Sequence, residues 1–242
     1  MIVLYTDFGS QDSYVGQLHA VLAQQAPGIA VIDLFHHVPN HDIRAGAYLL
    51  PSFVSAFPEN TVFICVVDPG VGSERRPLIL RADNIWFVGP DNGLFQILAR
   101  RASQVECLTI DWRPDKLSPS FHGRDLFAPV AAMLSRGELP DATPVELHTG
   151  EDAQWPDDLA EVVYIDHFGN AITGYRATAL PQDASIRISG KLLRPANTFS
   201  EVTRGTAFWY ENANGLVEIA VNQGRAAEQL AIRLGMLFSV NA

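Results

Sequence analysis

Apolar runs of four to seven residues, each closed by a polar turn, set the pattern of the first 136 residues. Ile2 to Tyr5 predicts a short strand, and the turn Thr6-Asp7-Phe8-Gly9-Ser10 follows it. From Asp12 the spacing of Val15, Leu18, Val21 and Leu22 is helical, and Pro27-Gly28 stops it. Ala30 to Phe35 predicts a second strand. Asp42 to Phe57 predicts a second helix, with the Asp42 carboxylate placed to accept an N–H of its first turn. Thr61 to Val67 (TVFICVV) is apolar throughout and reads as a central strand covered on both faces. Leu78 to Leu80 and Ile85 to Val88 predict further strands, and Leu94 to Ala99 and Leu126 to Leu134 further helices. This alternation predicts an α/β layer with a largely parallel sheet.

The pattern changes after Arg136. Residues 137–160 contain three prolines, many acids and little periodicity, the composition of a linker or a long surface connection. Short β-type runs follow at Glu161 to Ile165, Ser185 to Ile188, Thr206 to Tyr210, Leu216 to Val221 and Met236 to Val240, separated by Gly-containing turns. The expectation is an α/β domain over 1–150 and a smaller all-β, barrel-like domain over 151–242.

Composition narrows the function. With 27 acidic against 17 basic side chains, the net charge is −10. That excludes a nucleic-acid binder held by a basic face. No apolar run reaches the roughly 18 residues that span a bilayer. The N-terminus has no basic start and no cleavage pattern, so no secretory signal is expected. Cys65 and Cys107 are far apart and lack metal-ligand spacing, so they read as free buried thiols, in keeping with a cytoplasmic location.

Four polar clusters can carry chemistry. Thr6-Asp7-Phe8-Gly9 and Asp12 follow the first strand, where open parallel sheets bind ligands. A carboxylate there can accept ribose hydroxyls or ligate a metal, or simply cap the helix. Asp68-Pro69-Gly70-Val71-Gly72 leads to Arg75 and Arg76, so a carboxylate leaving a buried strand has a nearby cation. The loop lacks the Gly-Lys-Ser/Thr ending of a phosphate loop. Phe121-His122-Gly123-Arg124-Asp125 opens a helix with an imidazole that exchanges protons near neutral pH. Asp166-His167-Phe168-Gly169-Asn170, with Glu211-Asn212 and Asn222, offers an anion for an ammonium, a ring for stacking and amides for a base edge. His36, His37 and His41 lack the carboxylate and cysteine spacing of a zinc site, so no metal is expected there.

In this order, the blocks YTDFGSQDSYVG, VVDPGVGSERR, VGPDNGL, FHGRDLFAPVA, IDHFGN and ENANGLVEIAVN resemble the SAM hydroxide adenosyltransferases. These are S-adenosylmethionine hydrolases related to SAM-dependent fluorinases and chlorinases. The resemblance runs from Thr6 to Asn222. It implies an N-terminal α/β domain, a C-terminal β-barrel and a homotrimer with active sites between subunits. The implied reaction is attack of a water-derived nucleophile on the ribose C5′ of SAM, giving adenosine and L-methionine without a cofactor. Residue by residue, Asp68, Arg75 and His122 match the catalytic triad, and Asp7, with Asp12 beside it, the ribose-binding turn. Asp166, Phe168 and Asn170 match methionine-amine and adenine contacts, and Asn222 the adenine-side loop. Ala213 stands where relatives commonly have Ser, and Gln223 and Arg225 replace small residues.

Three other readings stay open. The halogenating relatives carry an aromatic residue in place of Asp68, whose charge would repel a halide. A non-catalytic SAM or adenosine sensor would not need the triad. A metal-dependent hydrolase would use Asp7 and Asp12.

Overall fold

The computed structural model describes residues 1–147, 154–181 and 183–241. The chain divides into two compact units, Met1–Gln154 and Trp155–Ala242. The expected 150/151 boundary and part of the 137–160 linker lie outside the described residues.

In the first unit, β1 (Ile2–Thr6), β2 (Val31–Phe35), β3 (Val62–Val66), β4 (Pro77–Ala82), β5 (Ile85–Pro90), β6 (Val105–Ile110) and β7 (Ala142–Pro144) form one sheet in the order β2-β1-β3-β5-β4-β6-β7. The β2, β1, β3 and β5 strands run parallel. β4 is antiparallel to both β5 and β6, and β7 to β6. The β4–β5 connection is a tight hairpin through Asp83 and Asn84, both at positive φ (45° and 68°), as a two-residue turn of primed type requires. The sheet is therefore largely parallel with an antiparallel edge.

Among the described residues, four helices cover it: α1 (Ser13–Gln25), α2 (Ile43–Val54), α3 (Gln96–Arg101) and α4 (Ala128–Ser135). On one face Ile2, Leu4, Val62 and Ile64 pack with Leu18 and Leu22 of α1 and Val130 of α4. On the other, Tyr5 reaches α2, where its hydroxyl donates to the Gly46 carbonyl at 2.8 Å and its ring meets Phe53. Alternate residues of β1 thus serve opposite faces, which is why the strand is apolar without interruption. Asp42 caps α2 as expected, accepting from the Ala45 N–H at 2.9 Å. Cys65 is buried, Cys107 is half-buried, and both thiols are free. No helix among the described residues is long and apolar enough to cross a membrane.

The second unit is all-β apart from one-turn helices such as α5 (Ala226–Gln229). β8 (Leu159–Ile165), β9 (Ala171–Arg176), β12 (Ala207–Glu211) and β13 (Leu216–Val221) form a sheet in the order β12-β13-β9-β8. A second sheet has the order β11-β10-β14, from β10 (Ser185–Ile188), β11 (Lys191–Leu193) and β14 (Ser239–Asn241). Bridges from Glu161 to Leu237 and from Pro195 to Trp209 link their edges, so the two sheets close into the expected barrel-like shape. Its core includes Val162, Ile186, Ile188, Trp209, Val217 and Ile219.

Candidate active site

Because β1 and β3 are adjacent and parallel, with Thr6 paired to Val66, the turn after β1 and the loop after β3 leave the sheet side by side. This is the carboxyl edge, where such sheets bind ligands. A cleft of about 270 Å³ opens there, lined by Asp7, Phe8, Tyr14, Asn40, Asp68 and His122 among others. Phe8, Tyr14 and Phe121 meet pairwise at 5.3–5.8 Å between ring centroids and give it an apolar wall.

Two successive tight turns, Asp68 to Val71 and Gly70 to Ser73, fold the loop after β3 back on itself. Gly72 has φ +81°, and a Cβ there would lie 2.6 Å from the Pro119 carbonyl oxygen, so only glycine lets the loop close against that segment. The reversal returns Arg75 to Asp68. Nε of Arg75 donates to both carboxylate oxygens at 3.0 Å, and Nη2 donates to Oδ2 as well. Nη2 also lies 2.9 Å from Nδ1 of His122. The Asp68 and Arg75 side chains are only 4% and 9% exposed. Nη1 of Arg75 is buried and, among the described residues, has no hydrogen-bond partner. A buried donor left open is costly unless a ligand or water takes it.

His122 precedes a π-helical turn, Gly123–Phe127, in which the Ala128 N–H reaches back five residues to the Gly123 carbonyl. This replaces the start of the expected Leu126 to Leu134 helix, and such wide turns recur at functional sites. Arg124 and Asp125 pair through two bonds of 2.6 and 2.9 Å, while Arg124 also donates to Gln17 of α1 and Asp125 accepts from the Ser118 N–H. They hold the segment in place. Burial, followed by the adjacent Arg75 guanidinium, pushes the His122 pKa below its ordinary value, with Asp68 opposing. Since Arg75 can only donate, Nδ1 of the neutral ring accepts and Nε2 carries the proton.

Asp7 accepts the His41 N–H at 3.0 Å, and its side chain is 10% exposed. His41 has φ +64°, and Asn40 and His41 line the cleft. Sequence reading missed Asn40 and weighed His41 only as a metal ligand, although their place directly after His-Val-Pro in a strand-to-helix loop was a usable signal. Asp12 occupies the N-cap position of α1, is exposed, makes no side-chain cap bond and does not line the cleft. Among the described residues, no group of three His, Cys, Asp or Glu side chains is placed to hold a metal.

The second unit has its own hollow of about 760 Å³, lined by Asp166, Phe168, Asn170, Tyr210, Asn212 and Glu218 among others. The Asp166–Asn170 turn is tight: the Asn170 N–H donates to Oδ1 of Asp166 at 2.8 Å, and its side-chain amide to Oδ2 at 3.3 Å. Phe168 stands 70% exposed at its tip, a ring open to stacking. Asn222 does not line the hollow; its amide donates to the Val202 carbonyl at 2.7 Å and fastens that loop. Ala213, Gln223 and Arg225 do line it.

Glu218 lines this hollow and was not singled out from the sequence. It is buried on β13, accepts from the Tyr210 hydroxyl at 2.5 Å and from the Asn212 amide at 3.0 Å, and also bonds Asn170. Burial, with Asp166 nearby, raises its pKa against the pull of those donors. A lone carboxylate inside the apolar run LVEIAV was the available signal.

Comparison with known proteins matches residues 2–143 to the SAM hydroxide adenosyltransferase N-terminal domain and residues 160–238 to the C-terminal domain of the same family. The chain belongs to the SAM hydroxide adenosyltransferase family. It is 41% identical to an (R)-S-adenosyl-L-methionine hydrolase of Salinispora arenicola, over 98% of this chain and 96% of that one. It is 39% identical to the (R)-S-adenosyl-L-methionine hydrolase of Thermus thermophilus, over 97% of each. A fluorinase of an Actinoplanes species is a distant relative at 23% identity. A crystal structure of an uncharacterised conserved protein from Thermotoga maritima matches with a TM-score of 0.88 at 30% identity, covering 100% of both chains. A conserved hypothetical protein from Thermus thermophilus matches with a TM-score of 0.77 at 37% identity, covering 99% of both.

Proposed function

We propose that this chain, like the family members it resembles, hydrolyses S-adenosyl-L-methionine to adenosine and L-methionine. The observation that carries the reading is the buried Asp68–Arg75–His122 constellation at the mouth of a parallel sheet. A water oxygen forms a bond to C5′ while the C5′–sulfur bond breaks. The bonding pair goes to sulfur, which leaves as a neutral thioether. Such a leaving group needs no Lewis acid, so the reaction runs without metal or cofactor. What it needs is an oriented, partly desolvated nucleophile. Asp68 accepts the water's proton, directly or through a second water. The Arg75 guanidinium, held against Asp68 and His122, supports the negative charge that develops on oxygen, and His122 orients the water through its Nε2–H. The Asp68 carboxylate repels a halide, which favours water over the fluorinase chemistry of the distant relative.

Asp7 receives the ribose hydroxyls, Asp166 the ammonium of the methionyl group, and Phe168 and Asn170 the adenine. Asn222 acts through the Val202 loop that it fastens. We extend the (R) sulfonium configuration in the relatives' names to this chain's substrate. We place the protein in the cytoplasm, a reducing compartment suited to its two free thiols. The polar inventories of the two units suit a homotrimer in which neighbouring subunits complete each site.

One reaction tests the central reading. Each sulfonium epimer is incubated in ¹⁸O-water with excess chloride and EDTA, and the products are weighed by mass spectrometry. The label is expected in the adenosine 5′-hydroxyl, with methionine unlabelled and the (R) epimer consumed faster. A 5′-chloro product, or activity abolished by EDTA, would overturn it. Light scattering is expected to return a trimer, and an active monomer would refute the assembly.

The His122 shift sets a pH dependence. A histidine whose pKa lies below its ordinary 6.5 stays neutral until the pH drops through that lower value. The acid limb of kcat/KM should therefore lie below pH 6.5, falling by about tenfold per unit once the required neutral form is minor. An acid limb centred above 6.5 would remove His122 from the proposed role.

A further inference from the structure

Of the histidines after β2, set aside as a metal site, His36 joins a hydrogen-bond chain that is buried at its Thr6 end beneath the Asp7 turn. The β1–β2 register contains a one-residue irregularity: Leu4 pairs with Asp33, but Tyr5 pairs with Phe35. In an unbroken strand, residues three apart point to opposite faces. The extra residue, Leu34, turns Asp33 and His36 to the same side. Nε2 of His36 lies 3.1 Å from Oδ1 of Asp33, which also takes Nε2 of His19 on α1 at 2.8 Å. Nδ1 of His36 lies 2.8 Å from the Thr6 hydroxyl, and that hydroxyl accepts the Phe8 N–H at 3.2 Å.

Direction follows from satisfiability. Asp33 accepts, so Nε2 of His36 carries a proton. Thr6 is fully buried, so its hydroxyl hydrogen needs an acceptor, and Nδ1 of the neutral ring supplies one. Two backbone bonds join the same segments: Gly9 N–H to the His36 carbonyl at 2.7 Å, and Val38 N–H to the Thr6 carbonyl at 3.3 Å. Asp7 lies between the two residues so gripped, Thr6 and Gly9, and its own carboxylate takes the His41 N–H.

We propose that His36 is a positioning residue for substrate binding, which fixes the Thr6–Gly9 turn through Thr6 and so aims the Asp7 carboxylate. The inference rests on the proposed reading of Asp7 as the group that receives the ribose hydroxyls. Ribose is common to substrate and product, so loss of this aim weakens binding of both SAM and adenosine and leaves the chemical step at Asp68 largely alone.

Two variants separate positioning from packing. An asparagine amide overlays the Nδ1 side of an imidazole and a glutamine amide the Nε2 side. His36→Asn therefore keeps a partner for Thr6, whereas His36→Gln keeps only the Asp33 end. His36→Gln should raise KM for SAM and the adenosine Kd by about tenfold, the scale of one lost buried hydrogen bond, with kcat within about threefold of wild type. His36→Asn should bind adenosine nearly as the wild type does. If either variant fails to fold by thermal melt, Thr6→Val and Thr6→Ser make the same comparison from the other side, with weakened binding for Val only. Equal adenosine affinities within a folded pair, or a fall in kcat without a rise in KM, would overturn the inference. A wild-type protein that binds no adenosine would overturn the functional reading instead.

Discussion

Asp68→Asn should lower the turnover of SAM by about a thousandfold, within the range that a positioned proton acceptor contributes, while adenosine affinity stays near wild type. Asparagine has nearly the same shape, and its amide oxygen still accepts from Nε of Arg75. What it loses is the charge and the capacity to take a proton from water. Those matter only as the C5′–oxygen bond forms, so the effect belongs to kcat and not to binding. Single-turnover rates for SAM, beside adenosine titration by calorimetry, make the measurement. Near-wild-type turnover would remove Asp68 from the chemistry. A parallel loss of adenosine affinity would show a disturbed cleft instead.

The sequence made the interior strands and the site loops of the first unit legible, for physical reasons. β3 is buried on both faces, so from Val62 to Val67 the run carries no polar residue to blur it. Asp42 announces α2 because the N–H groups of a helix's first turn have no intrahelical acceptor and need one. The loop after β3 was readable because a carboxylate followed by glycines and arginines has few structural uses. β6 was not, since its first half is exposed and carries Glu106, which breaks the apolar run. β9 contains Gly174, which weakens a strand pattern, and β11 and β7 have three residues each. The antiparallel edge of the first sheet depended on two residues, Asp83 and Asn84, adopting positive φ. Long-range partners were beyond reach. That Asp33 faces His36 depends on a register irregularity against β1, and that Glu218 joins Asn170 depends on pairing between β13 and β9. No spacing within either strand encodes those meetings.

The last expectation separates the fold from the chemistry at one ion pair. Arg75→Met keeps much of the aliphatic stem and removes the guanidinium, whose central carbon lies 5.5 Å over the centre of the Phe127 ring. It also leaves the Asp68 carboxylate, 4% exposed, without its cation. Removing one partner of a buried pair costs roughly 3–5 kcal/mol, because the remaining charge stays out of water. The variant should unfold at clearly lower denaturant with an unchanged m-value and should show no measurable turnover. The double variant Asp68→Asn with Arg75→Met removes that stranded charge. It should therefore recover a large part of the lost stability while remaining inactive, the non-additivity expected of two residues in contact. If the two stability losses simply added, the pair would not be coupled in the folded protein. If Arg75→Met kept its turnover, the support that its guanidinium gives to the developing oxygen charge would be refuted, whatever its stability.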